Sequence, residues 1–160
     1  MRVFFTGCTH YGHSNIIRLC NRPFNSVEEM DEILIENHNK LVNKNDLVYH
    51  HGDFAFRGRQ DNAEIIKRLN GKIILLQGNH DPVLWGQHMI EHKANKKLTV
   101  MCHYPIEEWN GYYHGSIHTH CHTHKPELVS AIRRFNVGVD ACGYRPISLE
   151  EILEHPNAKY

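Results

Sequence analysis

Short apolar runs, each followed by glycine or a polar cluster, recur along the chain. Runs of four to six residues with these boundaries are typical of buried β-strands. They predict strands at residues 3–6, 47–50, 72–76, 98–102, 116–119 and 134–139. Because helical patterns lie between the early strands and the second half is strand-rich, this order favours an α/β layered fold with helices on the sheet faces.

The signals for helices are mostly found at helix ends. Capping boxes, in which a Ser is followed three residues later by Glu, begin at Ser26 and Ser148. The pair Asn70-Gly71 is a C-cap signal that ends an amphipathic segment. The predicted helices cover residues 27–42, residues 63–69 and a short segment after residue 148.

Composition narrows the class of protein. The chain has 160 residues, is 41% hydrophobic, and balances 18 Lys and Arg against 18 Asp and Glu. This size suits one domain, which we expect to span residues 1–160. With a net charge of zero, the chain does not have the excess of Lys and Arg that is typical of a dedicated nucleic-acid-binding protein. Nucleic acid stays open as a substrate.

The expected location follows from the apolar runs and the cysteines. No apolar run reaches the length of a membrane span, and the one near the amino terminus is too short for a signal peptide. The five cysteines are an odd number, so at least one has no partner within the chain. We expect a cytoplasmic protein with mostly reduced cysteines and no membrane partner, while the oligomeric state stays open.

Histidine is the outlier of the composition. There are 15 of them, spread from residue 10 to residue 155 rather than gathered in a tag. His118, His120, His122 and His124 alternate, and alternate side chains of an extended chain point to the same side. A solvated strand face is the alternative for any one of them. As a group they indicate a metal site, because imidazole is the commonest metal ligand in proteins.

Ligand-type residues also follow four of the predicted strands. These residues are Cys8 and His10, Asp53, the run 79–81, and His103. Open α/β sheets bind ligands beyond the carboxyl ends of their strands, so we expect these side chains to meet at one edge. A carboxylate such as Asp53 can bridge two metals, whereas an isolated Gly-Asp more often makes only a turn.

In this order the motifs resemble those of the calcineurin-like metallophosphoesterase superfamily. Its pattern is Asp-x-His, Gly-Asp, Gly-Asn-His-(Asp/Glu), His and Gly-His-x-His. The stretches 21–24, 113–118 and 136–140 further resemble small bacterial and phage members. The resemblance covers nearly the whole chain. It implies a sandwich of two mixed β-sheets flanked by helices, with two divalent transition metal ions at the strand ends.

The resemblance also implies roles for individual residues. The first metal would be held by Cys8, His10, Asp53 and His124. The second metal would be held by Asp53, Asn79, His103 and His122, so that Asp53 bridges the pair. His80 would contact the substrate phosphate or the leaving-group oxygen as a catalytic residue, and Asp81 would orient His80. Asn79 and Arg57 are further candidates for substrate binding.

The expected reaction is hydrolysis of a phosphomonoester or phosphodiester by a metal-bridging hydroxide, acting on a small phosphorylated substrate or a nucleotide. The family has Asp where this chain has Cys8, and Gly where it has Cys121. A thiolate is softer than a carboxylate and favours zinc or iron, with manganese a further candidate. A side chain at position 121 would be strained if the glycine serves a positive φ or a close approach.

Two alternatives stay open from the sequence. The chain could be a non-catalytic metal-binding or scaffold protein with a degenerate first site, or a hydrolase of altered chemistry with a thiolate-ligated metal. The intact pair His80-Asp81 argues against a scaffold, which would have no use for it.

Overall fold

A computed structural model describes residues 1–56 and 59–159, with the backbone alone for residues 59–61. The helices are α1 Ser14–Leu19, α2 Val27–Leu41, α3 Arg59–Arg68 and α4 Leu149–Glu154, with short 3₁₀ turns at Tyr112–His114 and Pro156–Ala158. The strands are β1 Val3–Thr6, β2 Leu47–His50, β3 Lys72–Leu75, β4 Met89–Ala94, β5 Lys97–Cys102, β6 Ile117–His120, β7 Val129–Ala131, β8 Arg134–Asn136 and β9 Ile147–Ser148. None of the helices in this described part is long and apolar enough to cross a membrane.

The strands form two mixed sheets. The first has the order β3-β2-β1-β9, in which β9 is antiparallel to β1 and the other pairs are parallel. The second has the order β4-β5-β6-β8-β7, with a parallel centre β5-β6-β8 and antiparallel edges. The predicted fold, two mixed sheets flanked by helices, is therefore confirmed.

The core has two main parts because the first sheet is buried on both faces. Along β1, Val3 and Phe5 join a cluster that includes Met101, Ile117 and Phe135 of the second sheet. Phe4 points the other way, as alternation along a strand requires. A second cluster on the helical side contains apolar residues of α1, α2 and α3. The sandwich thus holds the carboxyl ends of β1, β2 and β3 rigidly from both sides.

Backbone pairing continues beyond the strand ends. Cys8 N–H donates to Gly52 O at 2.9 Å and His10 N–H donates to Asp53 O at 3.0 Å, so the loops after β1 and β2 run side by side. Cys121 N–H donates to His103 O at 3.0 Å and joins the loops after β6 and β5 in the same way. Four ligand-bearing loops are therefore fixed by main-chain hydrogen bonds.

Several elements differ from the sequence prediction. Four were missed, namely α1, β4, β7 and β9, of which α1 has only six residues and no side-chain cap and β9 has two. Helix α3 begins at residue 59, not residue 63. Strand β8 ends at Asn136, not residue 139. A last bond from Val137 N–H to His120 O closes its pairing with β6, and the chain then leaves this sheet, because Val139 N–H donates to Gly7 O in the loop after β1.

Candidate metal centre

The loop after β1 presents two side chains to one point. Cys8 and His10 are both buried and have φ of 51° and 53°, while Thr9 between them faces the other way. The Thr9 hydroxyl donates to Phe54 O at 2.7 Å, which ties this loop to the neighbouring one. His10 Nε2 is buried and, among the described residues, has no hydrogen-bond partner. An imidazole nitrogen left in this state is open to a cation.

The Asp53 carboxylate lies between the two halves of the centre. Its Oδ2 is 3.6 Å from His10 Nε2 and 3.5 Å from His103 Nε2. Its Oδ1 accepts a hydrogen bond of 2.9 Å from the backbone N–H of His80. The side chain can come this close to the loop after β3 because residue 78 is glycine: a Cβ there would overlap the backbone nitrogen and Oδ1 of Asp53.

The second half of the centre is built from His103, Asn79 and His122. Asn79 Oδ1 is 2.9 Å from His103 Nε2 and 3.1 Å from His122 Nδ1, and these two nitrogens are 3.1 Å apart. His103 Nδ1 lies 2.7 Å from His51 O, and donation to this carbonyl leaves the Nε2 lone pair facing the site. Two imidazole nitrogens at this separation need a proton or a cation between them.

His124 completes the first half. The ligand atoms of Cys8, His10 and His124 lie within 4.8 Å of one another, as do those of Asp53, His103 and His122. The structure therefore brings together all seven predicted ligands in two adjacent groups. The residues fit a metal pair. The first group contains a thiol and the buried unpartnered nitrogen of His10, the second contains two imidazole nitrogens and an amide oxygen, and the Asp53 carboxylate lies between them.

The local electrostatics favour a charged Cys8. Burial raises the pKa of Cys8, but interactions with the adjacent polar side chains of Cys121, His10 and His124 outweigh it and hold the pKa well below its ordinary value. Burial lowers the pKa of His124, but hydrogen bonds to Asp140 and Cys8 raise it to about 9. The Cys121 pKa is raised well above its ordinary value by burial and by the neighbouring Cys8. Without metal, these opposite shifts favour a thiolate at Cys8 beside an imidazolium at His124.

Backbone strain is concentrated in the predicted ligands. Cys8, His10, Asp53, His122 and His124 all have φ between 51° and 57°. Non-glycine residues in this left-handed region cost about 1–3 kcal/mol each and persist where the surrounding structure fixes them. Five of seven predicted ligands share this geometry, which is typical of a functional site.

His80 is exposed at the edge of the centre, whereas Asp81 is buried next to the Asp53 loop. The exposed His80 ring has its centroid 5.8 Å from that of His10, at the open side of the centre. The buried Asp81 was expected to orient His80. Its carboxylate instead accepts backbone N–H groups of Asp53, Phe54 and Gly78 at 2.7, 2.9 and 2.8 Å. In the structure Asp81 therefore fixes the Asp53 loop rather than the His80 ring.

Two of the alternating histidines lie outside the centre. Strand β6 ends at His120, and the positive φ of His122 and His124 breaks the extended face expected from the sequence. Nδ1 of His118 lies 2.9 Å from Val100 O, and Nε2 of His120 lies 2.8 Å from Ser130 Oγ. The prediction that the four share one face is wrong beyond His120. Arg57, expected to bind substrate, lies outside the described residues.

Cys121 is accommodated by space that two glycines leave. A Cβ on Gly7 would lie 2.8 Å from Cys121 Sγ, and a Cβ on Gly138 would lie 3.2 Å from Cys121 Cβ. Cys121 does not have a positive φ, and its Sγ lies 3.3 Å from His51 O. The strain expected at this position is therefore absent, because Gly7 and Gly138 lie opposite the Cys121 side chain and leave room for it.

One contributor to the centre was not singled out from the sequence. Asp140 Oδ2 lies 2.8 Å from His124 Nδ1, so this carboxylate holds the ring of a predicted ligand. The available signal was its position: Asp140 directly follows the strand predicted at residues 134–139, as the predicted ligands follow theirs.

Comparison with known proteins identifies the family of this chain. The family model described as calcineurin-like phosphoesterase matches residues 1–141. The chain belongs to the calcineurin-like phosphoesterase family. This is a family of metal-dependent phosphoester hydrolases that generally use two divalent metals.

Individual relatives cover almost the whole chain. An uncharacterised protein of Methanocaldococcus jannaschii is 34% identical over 160 residues, which is 96% of this chain and 90% of the relative. A protein of unknown function from Aquifex aeolicus has a similar structure, with a TM-score of 0.77 at 24% identity over 94% of this chain and 97% of the other. A solved archaeal phosphodiesterase has a TM-score of 0.50 at 16% identity, over 93% of this chain and 100% of the other. These two structural likenesses show the fold.

Proposed function

We propose that this protein hydrolyses a phosphate ester at a pair of metal ions bound in one site. The observation that carries the proposal is the position of Asp53, whose Oδ2 lies within 3.6 Å of both His10 and His103. One carboxylate shared by two groups of ligand atoms is the arrangement that a two-metal hydrolase needs. The proposed ligands are Cys8, His10, Asp53 and His124 for one metal, and Asp53, Asn79, His103 and His122 for the other.

Two bound metals would activate water and neutralise charge on the phosphoryl oxygens during an in-line displacement. The chain supplies the remaining groups. His80, exposed beside His10, is placed to donate a proton to the leaving-group oxygen and to contact the phosphate. Asp81 keeps Asp53 in place by accepting three backbone N–H groups. The exposed Asn79 combines a ligand oxygen with a position at the substrate side.

The donor atoms indicate which metals to test. The first site has one thiolate, two imidazoles and a carboxylate, which suits zinc or iron, whereas the second has two imidazoles and two oxygen ligands and also accepts manganese. Substrates to test are small phosphorylated compounds and nucleotides, which can reach the centre from its exposed His80 side.

The rival proposal is a metal-binding scaffold without catalysis. It accounts for the ligands and for the buried Asp81 that fixes the Asp53 loop, but not for an exposed imidazole beside the centre. The third reading, altered chemistry at a thiolate-ligated metal, predicts bound metal without hydrolysis of any phosphate ester.

The test combines metal analysis with activity. Protein purified without added metal, then loaded with zinc, iron or manganese, is assayed on an aryl phosphate monoester and on the matching diester. We expect up to two metals per chain and hydrolysis of at least one of the two esters. Asp53→Asn removes the proposed bridging ligand and should lose metal and activity together. Bound metal with no hydrolysis of either ester supports a rival, and less than about half an equivalent of any metal refutes the site.

A further inference from the structure

Arg22 is a fully buried guanidinium close to the first half of the centre. Its side chain is 0% exposed, and its Nε and Nη2 donate to the two carboxylate oxygens of Asp140 at 2.8 and 2.9 Å. This is the bidentate geometry in which Arg binds a carboxylate most strongly and most directionally. The two residues are 118 positions apart in the sequence.

Asp140 makes one further contact. Its Oδ2 also lies 2.8 Å from His124 Nδ1, and donation by that nitrogen places the proton on Nδ1 and leaves Nε2 for a metal. Cys20 also lies near His124 and Asp140, but a metal there would have to compete with Arg22 for both Asp140 oxygens. Asp140 is therefore placed to orient a ligand rather than to serve as one.

The same guanidinium also reaches the loop after β1. Nη1 donates to Thr9 O at 3.0 Å and Nη2 donates to Cys8 O at 2.7 Å. One rigid planar group thus connects the backbone of the Cys8 loop with the Asp140 carboxylate, which is hydrogen-bonded to His124. Cys8 and His124 are two of the proposed ligands of the first metal, and they belong to separate loops.

We propose that Arg22 and Asp140 are the positioning pair of the first metal site. They fix the tautomer and ring direction of His124 and its separation from Cys8. Among the described residues, neither makes a contact of this kind with the second site. A purely stabilising role explains the pair poorly, since replacing a buried ion pair by apolar groups is often neutral or stabilising. The inference rests on the proposed function, because it presupposes a metal between Cys8 and His124.

The test is a cobalt titration of metal-free protein, followed by absorption spectroscopy and by total metal content. A near-ultraviolet sulfur-to-cobalt band reports the site that contains Cys8, and total cobalt reports both sites. Asp140→Asn and Arg22→Lys should each weaken cobalt binding at the first site by about 10–100-fold, the usual effect of removing a partner of a ligand. Binding at the second site should stay within about threefold.

A matched control is available in Asp46→Asn. Asp46 is buried, pairs with Arg2 at 3.1 Å and accepts backbone N–H groups, but it lies at the amino end of β2, away from the centre. It should lower the unfolding temperature without changing cobalt binding at either site. This comparison separates loss of a buried carboxylate from loss of a positioning group.

The outcomes are distinct. Equal weakening at both sites, or no weakening at the first, would overturn the positioning role, as would a protein in which neither Asp140→Asn nor Arg22→Lys folds. A folded Arg22→Lys variant keeps the test valid if Asp140→Asn alone fails to fold. A wild-type protein without any sulfur band would contradict the metal site itself, and the positioning role would fall with it.

Discussion

The backbone N–H of His122 donates a hydrogen bond of 3.1 Å to Sγ of Cys8. This contact joins the loop after β6 to the loop after β1 through sulfur. An acceptor at this place is favoured when it carries negative charge, which agrees with the depressed pKa of Cys8. The Cys that stands in place of the Asp of the family thus keeps a hydrogen-bond acceptor at this point, and its lowered pKa favours a negative charge.

The first prediction concerns Cys8. Cys8→Ser should weaken the first metal site more than the second, because a hydroxyl is a poorer anionic ligand than a thiolate. Cys8→Asp should restore an oxygen-rich site and shift preference towards manganese. Cobalt-substituted wild type should show a sulfur-to-metal band that Cys8→Ser lacks. A band that survives in Cys8→Ser would mean that another sulfur, such as that of the neighbouring Cys121, is the ligand.

The second prediction separates His80 from Asp81. His80→Ala should keep both metals and the free energy of unfolding, because the side chain is exposed, while kcat falls by roughly 10²–10⁴ if it is the general acid. Asp81→Asn replaces an acceptor with an amide that faces backbone N–H groups. It should cost about 1–3 kcal/mol in unfolding free energy and lower metal content with activity.

Metal analysis, chemical denaturation and steady-state kinetics on the two variants check this prediction. An Asp81→Asn enzyme with full metal content and a selectively lowered kcat would restore the role first expected for Asp81, that of orienting His80. A metal-free His80→Ala protein would show that His80 is itself needed to build the site.

The sequence predicts the site better than it predicts the elements around it. Strands β1, β2, β3 and β5 are apolar runs, and the ligand-type residues that follow them are therefore visible without a structure. The hairpin between β4 and β5 is not, because its turn is Asn95-Lys96, with φ of 51° and 61°. A two-residue turn with both φ positive usually carries Asn-Gly, and Lys96 hides that signal.

Long-range partners are the other part that sequence patterns do not supply. Arg22 and Asp140 meet across 118 positions, and the Asp81 carboxylate finds two of its three backbone partners, Asp53 and Phe54, in another loop. The alternation of His118 to His124 was misleading for a related reason. Alternate side chains share one face only where the chain is extended. Here main-chain contacts after His120 end the strand.

The third prediction couples Gly7 to Cys121. Gly7→Ala places a methyl group 2.8 Å from Cys121 Sγ and 2.9 Å from His51 Cβ, and should destabilise the fold by about 1–3 kcal/mol. Cys121→Gly should relieve the first clash only. The double mutant should therefore be more stable than additivity predicts by about 0.5–3 kcal/mol, and less stable than wild type. Denaturant unfolding of the four proteins measures this coupling, and strictly additive values would contradict the proposed packing.

The last prediction is that the metal-free fold loses stability steeply below neutral pH. Burial lowers the pKa of His50 and His51 to about 3 and that of His118 and His120 to about 4. In the unfolded chain these residues titrate near 6.5, so between about pH 6.5 and 4 the unfolded state binds more protons than the folded state. The contribution of these neutral histidines to the free energy of unfolding is fully present above pH 6.5 and is lost as the pH falls, at about 1.4 kcal/mol per pH unit for each histidine.

Unfolding of chelator-treated protein by urea at pH 7.0 and 5.5 measures how steeply the free energy of unfolding changes with pH. His118→Gln should reduce this slope by about one proton, whereas His114→Gln, at an exposed histidine, should leave it unchanged. Equal slopes in the wild type and His118→Gln would show that His118 takes up its proton in the folded state.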